Sequence, residues 1–192
     1  MASDEIRTRR FSRAEYGRLI DHGFLDEDDP IELLDGLLLV KEPQHSPHRT
    51  AVLLVAKAVE RAFGEGWFVQ TQSPIILDDR SEPEPDVCVV RGSPRDYADA
   101  HPTRPALIVE VAQSGLRLAR GRKAAAYARA RIADYWIVNL IDRALEVHRE
   151  PARPGPARRQ WGYAAIQTLR PDVTITPLAA PSADIRVADL LP

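Results

Sequence analysis

Apolar positions in this chain follow two periods, and the change from one to the other marks out the elements. Ser12-Arg13-Ala14-Glu15 matches a capping box, so a short helix is expected to run to about Asp21, closed by His22 and Gly23. The acidic run Asp26 to Pro30 reads as a solvated loop. Ile31 to Leu34 and Leu37 to Val40 are apolar runs separated only by Asp35-Gly36, the strongest short hairpin signal. Ser46-Pro47 then opens a helix, with the serine as cap. Val52, Val55, Ala56, Val59, Ala62 and Phe63 recur on one face of it, and Gly64 stops it.

Period-two and continuous apolar segments predict strands at Trp67–Thr71, Ile75–Leu77 and Asp86–Val90, with a polar turn from Asp78 to Pro85. Ala106 to Val111 is almost unbroken apolar sequence, as in a strand covered on both faces. A loop through Ser114 and Gly115 leads to a helix expected from about Arg120 to Arg131. Tyr135 to Val138 is a second buried strand, turned by Asp142-Arg143 into Ala144–Arg149, and Pro151 to Pro156 is a proline-rich loop. Tyr163–Leu169 and Val173–Thr176 are expected to finish the sheet, and Ile185 to Leu191 to form a last helical turn. There is no internal repeat. The order predicts an α/β (α+β) domain with one central mixed β-sheet flanked by helices.

Composition agrees with an ordinary globular domain. The chain has 192 residues, 44% hydrophobic and 28% charged, enough for one core spanning 1–192. No apolar run approaches the roughly 18 residues that a membrane span needs, and the basic start is followed by no apolar stretch, so a cytoplasmic protein is expected. The single cysteine, Cys88, excludes an internal disulfide and a cysteine zinc site. Charge is uneven: residues 1–100 carry 20 acids and 12 bases, residues 101–192 carry 8 acids and 14 bases. That asymmetry supplies metal ligands on one side and an anion-facing surface on the other, or else is uneven decoration of one solvated surface. Only three lysines accompany 23 arginines, which makes each lysine position unusual.

Several chemistries are absent by motif: no glycine-rich phosphate loop, no G-x-S-x-G and no H-E-x-x-H. His45 and His48 are the only close histidine pair and lack a third ligand, so two polar residues at an exposed helix start describe them better than a zinc site. The acids inside strands carry more information. Glu110 lies between Val109 and Val111, where a carboxylate needs a cation or hydrogen bonds to offset its burial. Asp86 opens its strand, and two carboxylates on neighbouring strands converge readily on one hard divalent cation. Glu32, near the hairpin start, is a third such acid, and also fits a strand edge facing water. Lys123 lies on the helix after the Glu110 strand, where it can lower an ammonium toward these acids as a partly exposed side chain contributing little to folding. Two metal-holding acids and a lysine are the parts that metal-assisted phosphodiester hydrolysis requires. Arg117, Arg120, Arg122, Lys123, Arg129 and Arg131 form a basic set uninterrupted by any acid, fit for backbone phosphates or for an ordinary solvated helix face.

Five blocks, taken in order, resemble the Uma-two family of restriction-endonuclease-like proteins. They are Ile31 to Gly36, Glu84-Pro85-Asp86-Val87, Ile108 to Val111, Arg120 to Tyr127 and Asp134 to Val138. The resemblance covers residues 12–191 and implies the restriction-endonuclease-like fold of the PD-(D/E)xK superfamily. It also implies a Mg²⁺-dependent nuclease site in which Mn²⁺ substitutes. Asp86 matches the signature aspartate and Glu110 the second metal-binding acid. Ala112 occupies the usual lysine place, and Lys123, on the following helix, matches the family's lysine. Glu32 matches the acid of the first hairpin, and His48 a histidine opening the long helix. Two positions depart: Ala119 stands where the family carries an aspartate four residues before the lysine, and Gly115 where a polar residue is common.

Two readings follow. In the first, the protein is a Mg²⁺-dependent endonuclease acting on DNA, with Asp86 and Glu110 on the metal. Lys123 then orients water or offsets transition-state charge, Glu32 supports them, and Arg117, Arg120 and Arg122 contact nucleic acid. In the second, prompted by Ala119, the fold survives as a nucleic-acid-binding or assembly module with weakened or lost catalysis. Cleavage of both strands favours a two-fold homodimer.

Overall fold

The Asp35-Gly36 turn places both residues in the left-handed region, at φ 52° and 76°, and joins β1 (Ile31–Leu34) to β2 (Leu37–Val40) in the predicted register. The computed structural model describes residues 8–26, 28–41, 44–153, 155 and 160–192. Ahead of the hairpin, α1 (Arg13–Asp21) begins at Ser12 with both arms of the capping box formed. After it comes α2 (Ser46–Phe63); His45 rather than Ser46 is its N-cap, without a side-chain cap bond, so Pro47 lies in the first turn.

Six strands form the central sheet in the order β3-β4-β5-β6-β7-β8: β3 (Trp67–Thr71), β4 (Val87–Arg91), β5 (Leu107–Ala112), β6 (Asp134–Asn139), β7 (Ala144–Ala152) and β8 (Gly162–Leu169). Only β5 and β6 are parallel. Every position of these two strands is buried, as their continuous apolar sequence requires. The mixed sheet flanked by helices is the expected fold class.

The β5–β6 crossover is helical from residue 116. It consists of α3 (Leu116–Leu118), a π turn (Ala119–Lys123) and α4 (Ala124–Arg129). The helix thus starts four residues before its expected position and is not regular. The Ala124 N–H reaches the Ala119 carbonyl, five residues back, and the Tyr135 hydroxyl donates to that same carbonyl at 3.0 Å.

Four further expectations are corrected. Ile75–Leu77 is extended but pairs with no strand: the Ile75 and Ile76 N–H groups bond to the carbonyls of Pro83 and Pro102, and prolines, lacking N–H, return no ladder bond. Val173–Thr176 does not complete the central sheet, because β9 (Thr174–Ile175) pairs with β10 (Ile185–Arg186) in a separate two-stranded sheet. The last helical turn is accordingly confined to Val187–Leu190. The expected loop of Pro151–Pro156 begins later, since β7 continues to Ala152, and its residues 154 and 156 lie outside the described residues.

Side-chain alternation assigns the two faces of the sheet. Val87, Val89, Val109, Val111, Trp136 and Val138 pack under α2 and the terminal Val187 and Leu190. Cys88, Ile108, Tyr135 and Ile137 pack against Ala124, Tyr127 and Ala128 of α4. Glu110 has the parity of Ile108, so it projects toward α4. Residues 72–86, between β3 and β4, run along the hairpin, with Glu82 N–H on the Leu33 carbonyl and Gly36 N–H on the Arg80 carbonyl. This brings Glu32 to the same end of the sheet as Asp86. Among the described residues, no helix is long and apolar enough to cross a membrane.

Candidate active site

Glu110, in β5, is only 6% exposed, and its Oε1 accepts two hydrogen bonds: from Lys123 Nζ at 2.9 Å and from the Tyr127 hydroxyl at 2.6 Å. Lys123 Nζ also lies 3.2 Å from Glu32 Oε1, while Glu32 Oε2 accepts the Glu84 N–H at 2.9 Å. Lys123 is 7% exposed. The expectation of a partly exposed helical lysine is therefore corrected: the π turn carries the side chain inward, between two carboxylates.

Asp86 immediately precedes β4, one step beyond the Val87–Val109 pair, so the antiparallel register sets it opposite Glu110. Its Oδ2 accepts the Val111 N–H at 2.8 Å and lies 3.3 Å from His48 Nε2. Gln72 Nε2 donates to Oδ1 at 3.5 Å, from a residue held at φ 49° where β3 ends. Two Gln72 backbone bonds, to the carbonyls of Pro85 and Asp86, accompany that unusual conformation.

Electrostatics follow from this crowding. Burial first, with the charges of Asp86 and Glu32 adding to it, raises the Glu110 carboxyl to about 7 against the pull of Lys123 and the Tyr127 hydrogen bond. Burial works against the Lys123 ammonium, but Glu110 and Glu32 outweigh it and its pKa is raised. Burial likewise opposes a charged His48, and hydrogen bonding and charge from Asp86 overcome it, so that pKa is raised too. Tyr127 is driven well above the ordinary phenol value, first by burial. It therefore stays protonated and donates to Glu110.

Glu32, Lys41, His48, Asp86, Glu110 and Lys123 line a cleft of about 230 Å³, with Tyr127 behind Glu110. The arginines chosen from the sequence do not join it. Arg120 forms a fork to Glu146, at 2.8 and 2.6 Å, and Asn139 Nδ2 donates to the same carboxylate. Arg122 faces a second, open depression with Arg10, Arg80 and Arg129, and Arg117 is exposed. Arg129 is paired with Asp35 and Asp78. Both histidines near the start of α2 line the cleft: His45 is exposed, while His48 is half-buried and its Nδ1 is buried without a hydrogen-bond partner.

Does this site suit a divalent cation? Four carboxylates, Glu32, Glu84, Asp86 and Glu110, face two ammonium groups, Lys41 and Lys123, in the cleft, a negative surplus that a hard cation relieves. Among the described residues no three His, Cys, Asp or Glu side chains close around a common point. A cation between Asp86 and Glu110 would therefore complete its shell with water, which is how Mg²⁺ is commonly held. The donor chemistry fits.

The family model described as "putative restriction endonuclease", Uma-two, matches residues 13–188. The chain belongs to this family. The structure of "a putative nuclease belonging to DUF820" from Anabaena variabilis ATCC 29413 superposes with a TM-score of 0.71. The alignment covers 94% of this chain and 97% of that one at 14% identity, a likeness of fold. No curated protein matches.

In this Uma-two chain Ala119 and Gly115, the two positions expected to depart from the family pattern, lie along the cleft. Ala119 presents a buried methyl group there, and a side chain at Gly115 would meet nothing within 4 Å. Reasoning from sequence missed Lys41, which reaches the cleft from the end of β2, and Gln72 and Glu84, which reach it from the two ends of the β3–β4 segment. The scarcity of lysine was the one signal that pointed toward Lys41.

Proposed function

We propose that this protein is a divalent-metal-dependent endonuclease that hydrolyses DNA phosphodiester bonds. The observation that carries this reading is the buried Lys123 ammonium shared by Glu110 and Glu32, with Asp86 opposite Glu110 in the same cleft. Asp86 and Glu110 would hold Mg²⁺, or Mn²⁺ in its place. The ion supplies polarisation of the phosphate and a more acidic water. Val111 N–H and His48 fix the Asp86 carboxylate, and Tyr127 fixes that of Glu110. Lys123, kept charged by its two acids, orients the attacking water and offsets the charge that develops on the phosphorus oxygens. Glu32 holds the Lys123 ammonium as a second partner beside Glu110. Arg117 and Arg122, exposed on the crossover, would contact neighbouring phosphates, and a two-fold homodimer would present two clefts to a duplex.

The test is plasmid and oligonucleotide cleavage with Mg²⁺ and with Mn²⁺, wild type beside Asp86→Asn. Metal-dependent cleavage that the variant loses is the expected result; metal-independent cleavage, or cleavage equal in both, refutes the reading. The buried methyl of Ala119 supports a second reading, a nucleic-acid-binding module with weakened catalysis. Mn²⁺ calorimetry separates the two, since only a retained site binds the ion with an affinity that depends on Asp86 and Glu110.

A further inference from the structure

The chain holds 23 arginines and three lysines, yet no arginine is among the described residues lining the cleft, and two of the three lysines are. Lys57, the third, is exposed on α2. Lys123 accounts for one of the pair. Lys41 follows β2, its backbone fixed by a bond from its N–H to the Pro30 carbonyl at 2.7 Å, and its ammonium is ion-paired with Glu84. The Lys41 side chain is 33% exposed, against 9% for that of Lys123. Four carboxylates, Glu32, Glu84, Asp86 and Glu110, line the same cleft and repel an incoming phosphodiester. Even one divalent cation only balances them once both lysines are counted. The polyanion therefore needs a cation at the rim that is already oriented and still reachable.

We infer that Lys41 is a substrate-binding residue that grips a nucleic-acid backbone phosphate at the cleft mouth, with Glu84 as its positioning partner. This rests on the nuclease reading above. An ammonium carries three donors; Glu84 engages it from one side, and the exposed side remains for a phosphate oxygen. An ammonium is a compact point charge that can be shared between Glu84 and a phosphate oxygen, whereas a guanidinium is a broader, planar fork.

The experiment measures binding of a fluorescein-labelled oligonucleotide duplex by anisotropy over a salt series, together with cleavage kinetics in Mn²⁺. Lys41→Gln should raise KM about tenfold with kcat within about threefold, the effect of losing one charge-assisted hydrogen bond. It should also reduce the slope of log Kd against log salt by about one, the signature of one lost phosphate contact. Lys41→Arg should restore the slope, and Glu84→Gln should raise KM less than Lys41→Gln while keeping the slope. Lys57→Ala is the control and should match wild type. Thermal melting checks that each variant folds, and Lys41→Arg keeps the charge should Lys41→Gln fold poorly. Cleavage by wild type with an unchanged slope and KM in Lys41→Gln overturns this inference and leaves the nuclease reading standing. Binding whose slope falls in Lys41→Gln, without cleavage by wild type, overturns the nuclease reading and leaves Lys41 on the phosphate. Absence of binding by wild type overturns both.

Discussion

Lys123 Nζ lies 2.9 Å from Glu110 Oε1 and 3.2 Å from Glu32 Oε1, so one ammonium ties the crossover helix both to the central sheet and to the first hairpin. The same group is thus asked to hold the fold and to serve the chemistry.

Lys123→Ala should consequently be costly in two ways. Removing one partner of a buried ion pair typically costs about 3–5 kcal/mol, reduced here to the extent that Glu110 takes up a proton. Cleavage should fall by about two orders of magnitude or more, the scale for one preorganised charge. Combining Lys123→Met with Glu32→Gln should recover much of the stability and none of the cleavage. Denaturant titrations and plasmid cleavage on the same preparations check both halves. A Lys123→Ala protein as stable as wild type would contradict the buried bridge.

The raised Glu110 pKa gives metal-free stability a definite pH dependence. Between the ordinary 4.5 and the folded value of about 7, the native state holds a proton that the unfolded chain has released. The contribution of Glu110 is therefore fully present below the ordinary value, falls as pH rises, and is gone above about 7. Comparing wild type with Glu110→Gln by urea unfolding near pH 5 and near pH 8 isolates this term, and the wild type should lose ground at the higher pH. Binding of Mn²⁺ near pH 6 should also release about one proton, seen as a dependence of calorimetric heat on buffer ionisation enthalpy.

His48 stands 3.3 Å from Asp86 Oδ2. As a group that orients a ligand, it should affect metal affinity without binding the ion itself. His48→Ala should weaken Mn²⁺ binding by about 10–100-fold, with folding retained. Calorimetry that finds wild-type affinity would remove His48 from the site.

Arg120 and Glu146 make a different prediction. Arg120→Ala leaves the buried Glu146 carboxylate with Asn139 as hydrogen-bond donor and His148 Nε2 3.9 Å away, and should lower stability by about 1–3 kcal/mol. The salt slope of oligonucleotide binding should stay unchanged, whereas Arg122→Ala should lower it by about one. A lowered slope in Arg120→Ala would return that arginine to the nucleic-acid surface.

What could be seen in the sequence was local chemistry. Asp35-Gly36 demands two left-handed residues and received them; the apolar runs around Glu110 and Trp136 demand burial on both faces and form the parallel centre. Because a carboxylate amid valines must be compensated, Glu110 stood out before its partners were known. The rest depends on distant pairing. Lys41, His48 and Gln72 meet at the cleft only because the hairpin, α2 and the end of β3 share one end of the sheet, and no periodicity encodes that. Ile75–Leu77 has the composition of a strand, but its neighbours are proline carbonyls. The acid that neutralises Arg120 is 26 residues away, beyond any helix-face pattern.

The π turn at Ala119–Lys123 holds one more residue than a regular helical turn, so the stretches before and after it are out of phase by about one residue's rotation, roughly 100°. Counting back four from Lys123 on an ideal helix therefore names the wrong neighbour, because the bond that closes this turn spans five residues, from Ala124 to Ala119. The amine's direction is set by that surplus residue. A chain shortened by one at Gly121 could keep every side chain discussed above and still wind as an uninterrupted α-helix, with the lysine rotated off the acids. Length at this single point, more than the identity of any one residue around it, is the tolerance to which the cleft is built.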